Sequence, residues 1–250
     1  MINKKKKKKR LKLTGVLFLL LFFYLVGYIG YSIFTTPIKH INIKNNDIVL
    51  EKDIIKLLNI DSKTPLYKVT SKSIKNKLTK NNLIEDVDIK KTLDASLVIN
   101  IKESKLLFYN LLNMETVLSS GKTIKDNSFV GVPVLVNYVP SKIYQKFIKA
   151  FSKVDSDIIY MISEIEYNPD TYNDVVLDEE RFLLKMNDGN KVYVNNDNIK
   201  KLNDYQTIIA SLTEEGTLYL DSNSKNNIFI TKAEEEKRLQ EEQINNEEQL

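Results

Sequence analysis

The chain opens with one long apolar run and then alternates short apolar patterns with polar loops. Leu13 to Phe34 form 22 consecutive residues without a charge. At 1.5 Å per residue, a helix of this length covers roughly 33 Å, enough to cross a hydrocarbon core of about 30 Å. Pro37 follows closely, and proline removes a backbone donor and pushes the preceding residue out of the helical region. The pattern therefore predicts a membrane-spanning helix over 13–34.

The residues before this run predict its orientation. Residues 1–12 contain eight basic residues, and the first acidic residue is Asp47. The positive-inside rule places a leader over 1–12 in the cytoplasm and the rest outside, as in a single-pass type II protein of the cell membrane. The alternative is a cleaved signal peptide, whose apolar region usually spans about 7–15 residues before an Ala-x-Ala-like site. The run here is longer and the first alanine is Ala95, which favours an uncleaved anchor.

Residues 35–104 show apolar positions in the order strand, helix, helix, strand, strand. Thr70 is a plausible N-cap for the second of these helices, which carries Ile74 and Leu78 four residues apart. Leu93 to Ser96 read as the turn between the last two strands. The other signals are the strand positions Ile38, Ile41 and Ile43, the helix Glu51–Leu58, the strand positions Val87 and Ile89, and the strand positions Leu97, Ile99 and Ile101.

Residues 105–231 are richer in strand patterns. Pro133 interrupts the apolar segment Val130–Val139, which indicates an edge strand or a bend. Asp188-Gly189 between two alternating runs favours a type I′ hairpin, because both central residues must accept positive φ. Two helices are predicted, one from Ser141 and one capped by Asp197 or Asn198 that runs to about Leu212. Further strands are predicted over Lys105–Leu112, 162–167, 174–177, 217–221 and 228–230.

The last residues, 232–250, are rich in Glu and Gln and carry few apolar residues at helical spacing. Such a segment cannot bury enough apolar surface to offset its ordering entropy. We expect an acidic mobile tail or a frayed helix.

The charge and cysteine content of the chain limit its possible partners and the interactions that can stabilise its fold. Without the eight leader charges, 29 of the 37 basic residues remain against all 33 acidic ones. A body so close to neutral offers no phosphate-tracking surface, so no nucleic acid is expected as a partner. Cysteine is absent, and an extracytoplasmic fold without disulfides must rely on its apolar core.

Candidate chemistry is sparse. His40 is the only histidine and lies close to the membrane, and two Ser-x-x-Lys matches, at Ser119 and Ser222, lack the partner motifs of penicillin-binding enzymes. Asp170 and Asp188 lack EF-hand spacing and are interpreted as turn residues. We therefore predict no catalytic, cofactor-binding or metal site, and a binding or scaffolding role.

A set of short segments, taken in order along the chain, carries a family resemblance. The segments are Ile38–Ile43, Asn45-Asn46, Ile54–Leu58, Pro65–Tyr67, Leu83–Val87, Leu97–Glu103, Asn187–Gly189, Lys201-Leu202 and Leu218–Asp221. Together they resemble the FtsQ/DivIB family of bacterial cell-division proteins, which join a basic leader, a single span, a POTRA domain and a β domain. Residues 35–104 resemble the POTRA domain and 105–231 the β domain. Ser222-Asn223 differs from the Leu-Arg that closes the family's last motif.

The resemblance implies an α+β fold and a non-enzymatic divisome scaffold at the division septum. It implies DivIC/FtsB-like and FtsL-like partners and help in regulating septal peptidoglycan synthesis. A terminal strand with an open edge also suits strand addition by a partner. The predicted partner-binding residues are Leu218, Tyr219, Leu220, Asp221, Ile228, Phe229 and Ile230. The alternative is a membrane-anchored cell-wall enzyme or envelope sensor.

Overall fold

The computed structural model describes residues 13–61, 63–126, 128–222 and 227–247. The chain divides into two compact units, 1–103 and 104–250. The first begins with helix α1 (Leu13–Thr35). Over Thr14–Thr35 this helix is long and apolar enough to cross a membrane, and none of its most apolar stretch is buried against protein. The leader predicted over 1–12 lies outside the described residues.

The rest of the first unit is a three-stranded sheet with two helices. The chain runs through β1 (His40–Lys44), α2 (Glu51–Leu58), α3 (Ser71–Leu78), β2 (Ile84–Lys91) and β3 (Ser96–Glu103). The sheet order is β1-β3-β2, with β1 parallel and β2 antiparallel to β3. This strand, helix, helix, strand, strand order is the one that the sequence predicts.

Local signals explain these elements. The Thr70 hydroxyl accepts the Ser73 N–H at 3.2 Å, so the predicted N-cap of α3 is confirmed. Ile74 and Leu78 of α3 are buried against the alternate residues Leu97, Ile99 and Ile101 of β3 in one apolar cluster. The central strand therefore faces the helices with the phase that its period-two pattern predicts.

The second unit contains a nine-stranded sheet and a separate two-stranded hairpin. The large sheet has the order β14-β13-β12-β11-β8-β7-β4-β5-β6, and β9 pairs only with β10. The strands are β4 (Leu106–Asn110), β5 (Glu115–Leu118), β6 (Thr123–Ile124), β7 (Val134–Leu135), β8 (Ile162–Tyr167), β9 (Asp170–Tyr172), β10 (Val175–Asp178), β11 (Arg181–Met186), β12 (Lys191–Asn195), β13 (Gly216–Tyr219) and β14 (Ile228–Thr231).

Helical segments cover this sheet. They are α4 (Ser141–Phe151), α5 (Ser156–Ile159), a 3₁₀ helix over Ile199–Asp204, α6 (Tyr205–Ile209) and α7 (Lys232–Glu247). The core is centred on stacked aromatic rings, with Phe147 of α4 at 4.0 Å from Phe182 of β11 between ring centroids. The helix predicted from Ser141 is confirmed, and its residues Ile143, Phe147 and Phe151 are all buried on one face.

Two expectations about strands and turns are corrected: the edge-strand alternative for the Pro133 segment and the turn type at Asp188-Gly189. The segment at Pro133 is not an edge, because β7 lies between β4 and β8 and is parallel to both. Pro133 precedes β7, and its carbonyl accepts the Tyr109 N–H at 2.8 Å, so no strand donor is lost. The Asp188-Gly189 turn is not type I′. Gly189 alone has positive φ there, and pairing of Met186 with Asn190 leaves a three-residue loop.

The helix predicted from Asp197 or Asn198 to Leu212 is also corrected. A 3₁₀ helix followed by the short α6 replaces one continuous α-helix. The Asn198 side chain does not cap the helix; its amide instead donates to the Asp221 carbonyl oxygen at 3.2 Å. A further helix, α5, was not predicted, since only four residues define it.

Candidate partner-binding edge

The predicted binding segment comprises the last two strands of the large sheet, and only one of them is an edge. β13 pairs in parallel with β12 on one side and antiparallel with β14 on the other. The strand that ends the sheet is therefore β14. The open edge expected from the sequence belongs to Ile228–Thr231, whereas Leu218 and Tyr219 lie on an interior strand.

The pairing of β14 shows which main-chain groups face outward. Lys232 N–H donates to the Glu215 carbonyl at 3.0 Å, one step beyond the pairing of Gly216 with Thr231. Hydrogen-bonded pairs alternate along an antiparallel ladder, so Ile230 and Ile228 bond to β13. The N–H and C=O groups of Phe229 and Thr231 then point to the open edge.

Part of this edge is already covered by α7. The outward N–H of Thr231 donates to the Glu234 carboxylate at 3.1 Å. In return, the Glu234 N–H donates to the Thr231 hydroxyl at 3.3 Å. This reciprocal pair is a capping box at the start of α7. It leaves Phe229 as the β14 residue that offers both main-chain groups to an added strand.

Three of the predicted residues belong to the core of the second unit. Leu218 and Leu220 are completely buried, and Phe229, which pairs with Leu218, packs partly buried against the same cluster. Their side chains hold the two strands in place. Of the three, only Phe229 has main-chain groups at the open edge, because β13 is paired on both sides.

The other strand residues share the opposite face of the sheet. Tyr219 pairs with Ile228, and Thr217 pairs with Ile230. Tyr219 and Ile230 are half-buried, while Ile228 is 54% exposed. This face therefore presents an aromatic ring and two branched aliphatic side chains beside the open edge.

Tyr219 is held by an aromatic and cationic stack that sequence analysis missed. Its ring lies 5.1 Å from that of Tyr193 on β12, at an interplanar angle of 19°. The Arg181 guanidinium lies 4.6 Å from the Tyr193 ring centroid. We call Arg181, Tyr193 and Tyr219 the Arg-Tyr-Tyr ladder. Burial raises the pKa of both tyrosines, so the phenols stay protonated at neutral pH.

Asp221 lies at the end of this ladder. Its carboxylate is 3.9 Å from the Arg181 guanidinium, which is also 3.2 Å from Asp170. Burial raises the pKa of Asp221, and the nearby Arg181 opposes that shift. The Asp221 carbonyl oxygen accepts the Asn195 amide at 2.8 Å. The two carboxylates thus fix the guanidinium above the Tyr193 ring.

The acidic groups that sequence analysis weighed for calcium have other contacts. Both Asp188 carboxylate oxygens accept the Tyr205 hydroxyl, at 2.8 and 3.0 Å. Within the described ranges, no group of three His, Cys, Asp or Glu residues could hold a metal ion. The geometry at β14 is suited to recognition of an extended peptide.

The fold defines a class: a helix long and apolar enough to cross a membrane, followed by a POTRA-type domain and a β-rich domain. A family described as "POTRA domain, FtsQ-type" matches residues 36–104. A second, "Cell division protein FtsQ/DivIB, C-terminal", matches 109–224. The chain belongs to the FtsQ/DivIB family of cell division proteins.

Curated relatives match most of the chain. The cell division protein DivIB of Bacillus subtilis is 30% identical over 236 residues, covering 87% of this chain and 84% of that protein. DivIB of Bacillus anthracis is 26% identical over 223 residues, covering 86% and 81%. The solved major extracytoplasmic domain of DivIB from Geobacillus stearothermophilus is 22% identical, covers 44% of this chain and 95% of that one, and has a TM-score of 0.33. The chain therefore has a role in cell division, in a family not known for enzymes.

Proposed function

We propose that this protein is a non-enzymatic divisome scaffold that binds DivIC/FtsB-like and FtsL-like division proteins outside the membrane. By this binding it helps regulate septal peptidoglycan synthesis, and it concentrates at the division septum. The observation that carries the proposal is the open edge of β14 beside the Arg-Tyr-Tyr ladder. Main-chain groups at such an edge pair with an added strand, and neighbouring side chains select its sequence.

Main-chain pairing alone is too weak for a stable complex. The two outward groups of Phe229 contribute roughly 0.5–1.5 kcal/mol each as hydrogen bonds. A micromolar complex requires about 8 kcal/mol. Side chains on the outer face must therefore contribute most of the affinity. Ile228 lies on the strand next to the added one, and Tyr219, one strand further in, pairs with Ile228 on the same face.

Tyr219→Ala tests this site. Aromatic anchors often dominate interfaces, so we expect a loss of about 2 kcal/mol, or roughly 30-fold in Kd for the purified DivIC/FtsB-like partner. Tyr172→Ala is the matched control, because Tyr172 is an exposed tyrosine on the separate β9–β10 hairpin. Its affinity should stay unchanged.

Circular dichroism of the same variants separates binding from folding. A retained fold with lost binding supports the site. Loss of the fold would assign Tyr219 to the core, and full retention of fold and affinity would place the partner surface elsewhere, with the POTRA domain as the next candidate.

Co-purification tests the scaffold role itself. Solubilised septal membranes should yield, with this protein, two small single-pass coiled-coil proteins identified by mass spectrometry. Turnover of a wall fragment by the purified chain, without such proteins, would favour the membrane-anchored enzyme instead.

A further inference from the structure

The POTRA domain is tied to the membrane exit of α1 by main-chain hydrogen bonds. Leu66 N–H donates to the Thr36 carbonyl, and Ile38 N–H donates to the Thr64 carbonyl, each at 3.0 Å. Lys39 N–H donates to the Ala95 carbonyl, also at 3.0 Å. Residues 63–70 and the β2–β3 turn over 92–95 therefore lie where the chain leaves α1.

Leu93, at the tip of the β2–β3 turn, is an apolar residue whose side chain is not covered by the rest of the domain. Leu93 is fully exposed, whereas Ala95, two residues later, is buried. Two residues span at most about 7 Å, so Leu93 lies close to the main chain at Lys39. Lys39 is only four residues beyond the end of α1. This leucine is therefore on the side of the domain where α1 enters the polar layer of the bilayer.

An aromatic residue, Tyr67, lies at the same end of the domain, beside the last turn of α1. The ring of Tyr67 is 5.8 Å from that of Phe34, in the last turn of α1. Tyrosine is enriched at membrane interfaces, where its ring contacts the apolar side and its hydroxyl stays hydrated. The Lys91 ammonium lies 5.5 Å from the Tyr67 ring centroid, so a positive charge accompanies the ring.

The charges around this surface are mainly positive. The Asp94 carboxylate accepts a hydrogen bond from the Ser96 hydroxyl, and the Asp61 carboxylate accepts one from the Thr64 hydroxyl, each at 2.7 Å. The pKa of Asp94 is lowered mainly by a hydrogen bond with Thr92. The pKa of Asp61 is lowered mainly by its hydrogen bond with Thr64. Both aspartates are thus charged and internally bonded. Four lysines outnumber them: Lys39, Lys63, Lys68 and Lys91. We call these four lysines, Tyr67 and Leu93 the membrane-facing rim.

We infer that the membrane-facing rim docks on the outer leaflet, with Leu93 inserted among the headgroups and the lysines paired with anionic lipid. Charge complementarity and covalent continuity with the anchor identify the occupant as a lipid surface. The inference rests on α1 as the anchor and is independent of any division partner. Docking would hold the POTRA domain at a fixed height above the bilayer.

The full chain in nanodiscs tests the insertion of Leu93. The chain has no cysteine, so Leu93→Cys labelled with an environment-sensitive dye reports on one site. Leu50→Cys is the matched control, because Leu50 is 57% exposed in the same domain, beyond the opposite end of β1. We expect a blue shift and quenching by spin-labelled lipid at position 93 and neither at position 50. Equal behaviour at the two positions would overturn the inference.

A second measurement tests the lysines in the same nanodiscs. The dye at position 93 gives the ratio of docked to undocked molecules. With phosphatidylglycerol present, Lys68→Gln or Lys91→Gln should lower this ratio by roughly fivefold each. Lys52→Gln, at the exposed start of α2, is the control and should leave the ratio unchanged. A ratio that is the same in pure phosphatidylcholine and unaffected by the rim lysines would contradict binding of anionic lipid. Far-UV circular dichroism verifies that each variant is folded.

Discussion

Ile99→Ala is the substitution whose effect on folding the structure predicts most closely. Ile99 lies on β3, the central strand of the POTRA sheet, and is completely buried. It pairs with Ile43 of β1 and with Ile89 of β2, both of which pack against the same cluster. Truncating this side chain therefore removes contacts to every strand of the sheet.

The magnitude follows from the atoms removed. Ile→Ala deletes three carbon groups, worth roughly 0.8 kcal/mol each when fully buried, or about 2.4 kcal/mol. A cavity left behind raises the usual range to about 2–5 kcal/mol. For a domain of this size, a loss of about 2 kcal/mol lowers the melting temperature by about 8–16 °C. Against a total stability of roughly 5–15 kcal/mol, this is a large fraction.

Differential scanning calorimetry of the extracytoplasmic chain measures this shift, and Val98→Ala is the matched control. Val98 is the preceding residue on β3, half-buried on the other face, where it pairs with Asn42 and Lys90. We expect a clearly smaller shift for Val98→Ala. Equal losses at both positions would refute the assigned phase of β3.

Three further predictions concern topology, the α7 cap and a buried charge. Protease added to intact protoplasts should remove the chain beyond Thr35 and spare the basic leader, and a mature N-terminus near Ser32 would contradict this. Thr231→Ala should cost about 1 kcal/mol and speed hydrogen exchange in the first turns of α7, whereas exposed Lys232→Ala should not. Burial raises the pKa of Asp221 above 3.8, so the contribution of this one group to stability should fall as pH rises from 3.8 through the raised value. Asp221→Asn removes this contribution, so the difference in unfolding free energy between the two proteins, measured in urea, should change over this pH range. A difference that stays constant with pH would contradict this cause.

The POTRA region could be predicted in detail because its signals are local. Period-two and helical spacing identify the strands and helices between Ile38 and Glu103, and one hydroxyl at Thr70 marks a helix start. The α7 start also carried a local signal that was missed. Thr231 followed three residues later by Glu234 fits the capping-box pattern, and the structure has a helix there.

Other features depend on pairing between distant segments, which single-sequence patterns do not contain. The type I′ turn expected at Asp188-Gly189 is absent there, while Asn173 and Asp174 both have positive φ in the two-residue β9–β10 turn. The interior position of β7 and the stacking of Tyr193 on Tyr219 both follow from parallel pairing with strands far away in sequence. For the same reason, the pattern over 218–230 does not show which of the two proposed strands, β13 or β14, is the open one.

Site-specific photo-crosslinking in dividing cells tests whether a partner adds a strand at β14. A photoreactive amino acid at Ile228, 54% exposed on β14, is compared with one at Val176, 56% exposed on the separate β9–β10 hairpin. We expect position 228 to capture a DivIC/FtsB-like division protein and position 176 not to. Capture of that protein at 176 but not at 228, or at neither position while the two proteins still co-purify, would contradict strand addition at β14.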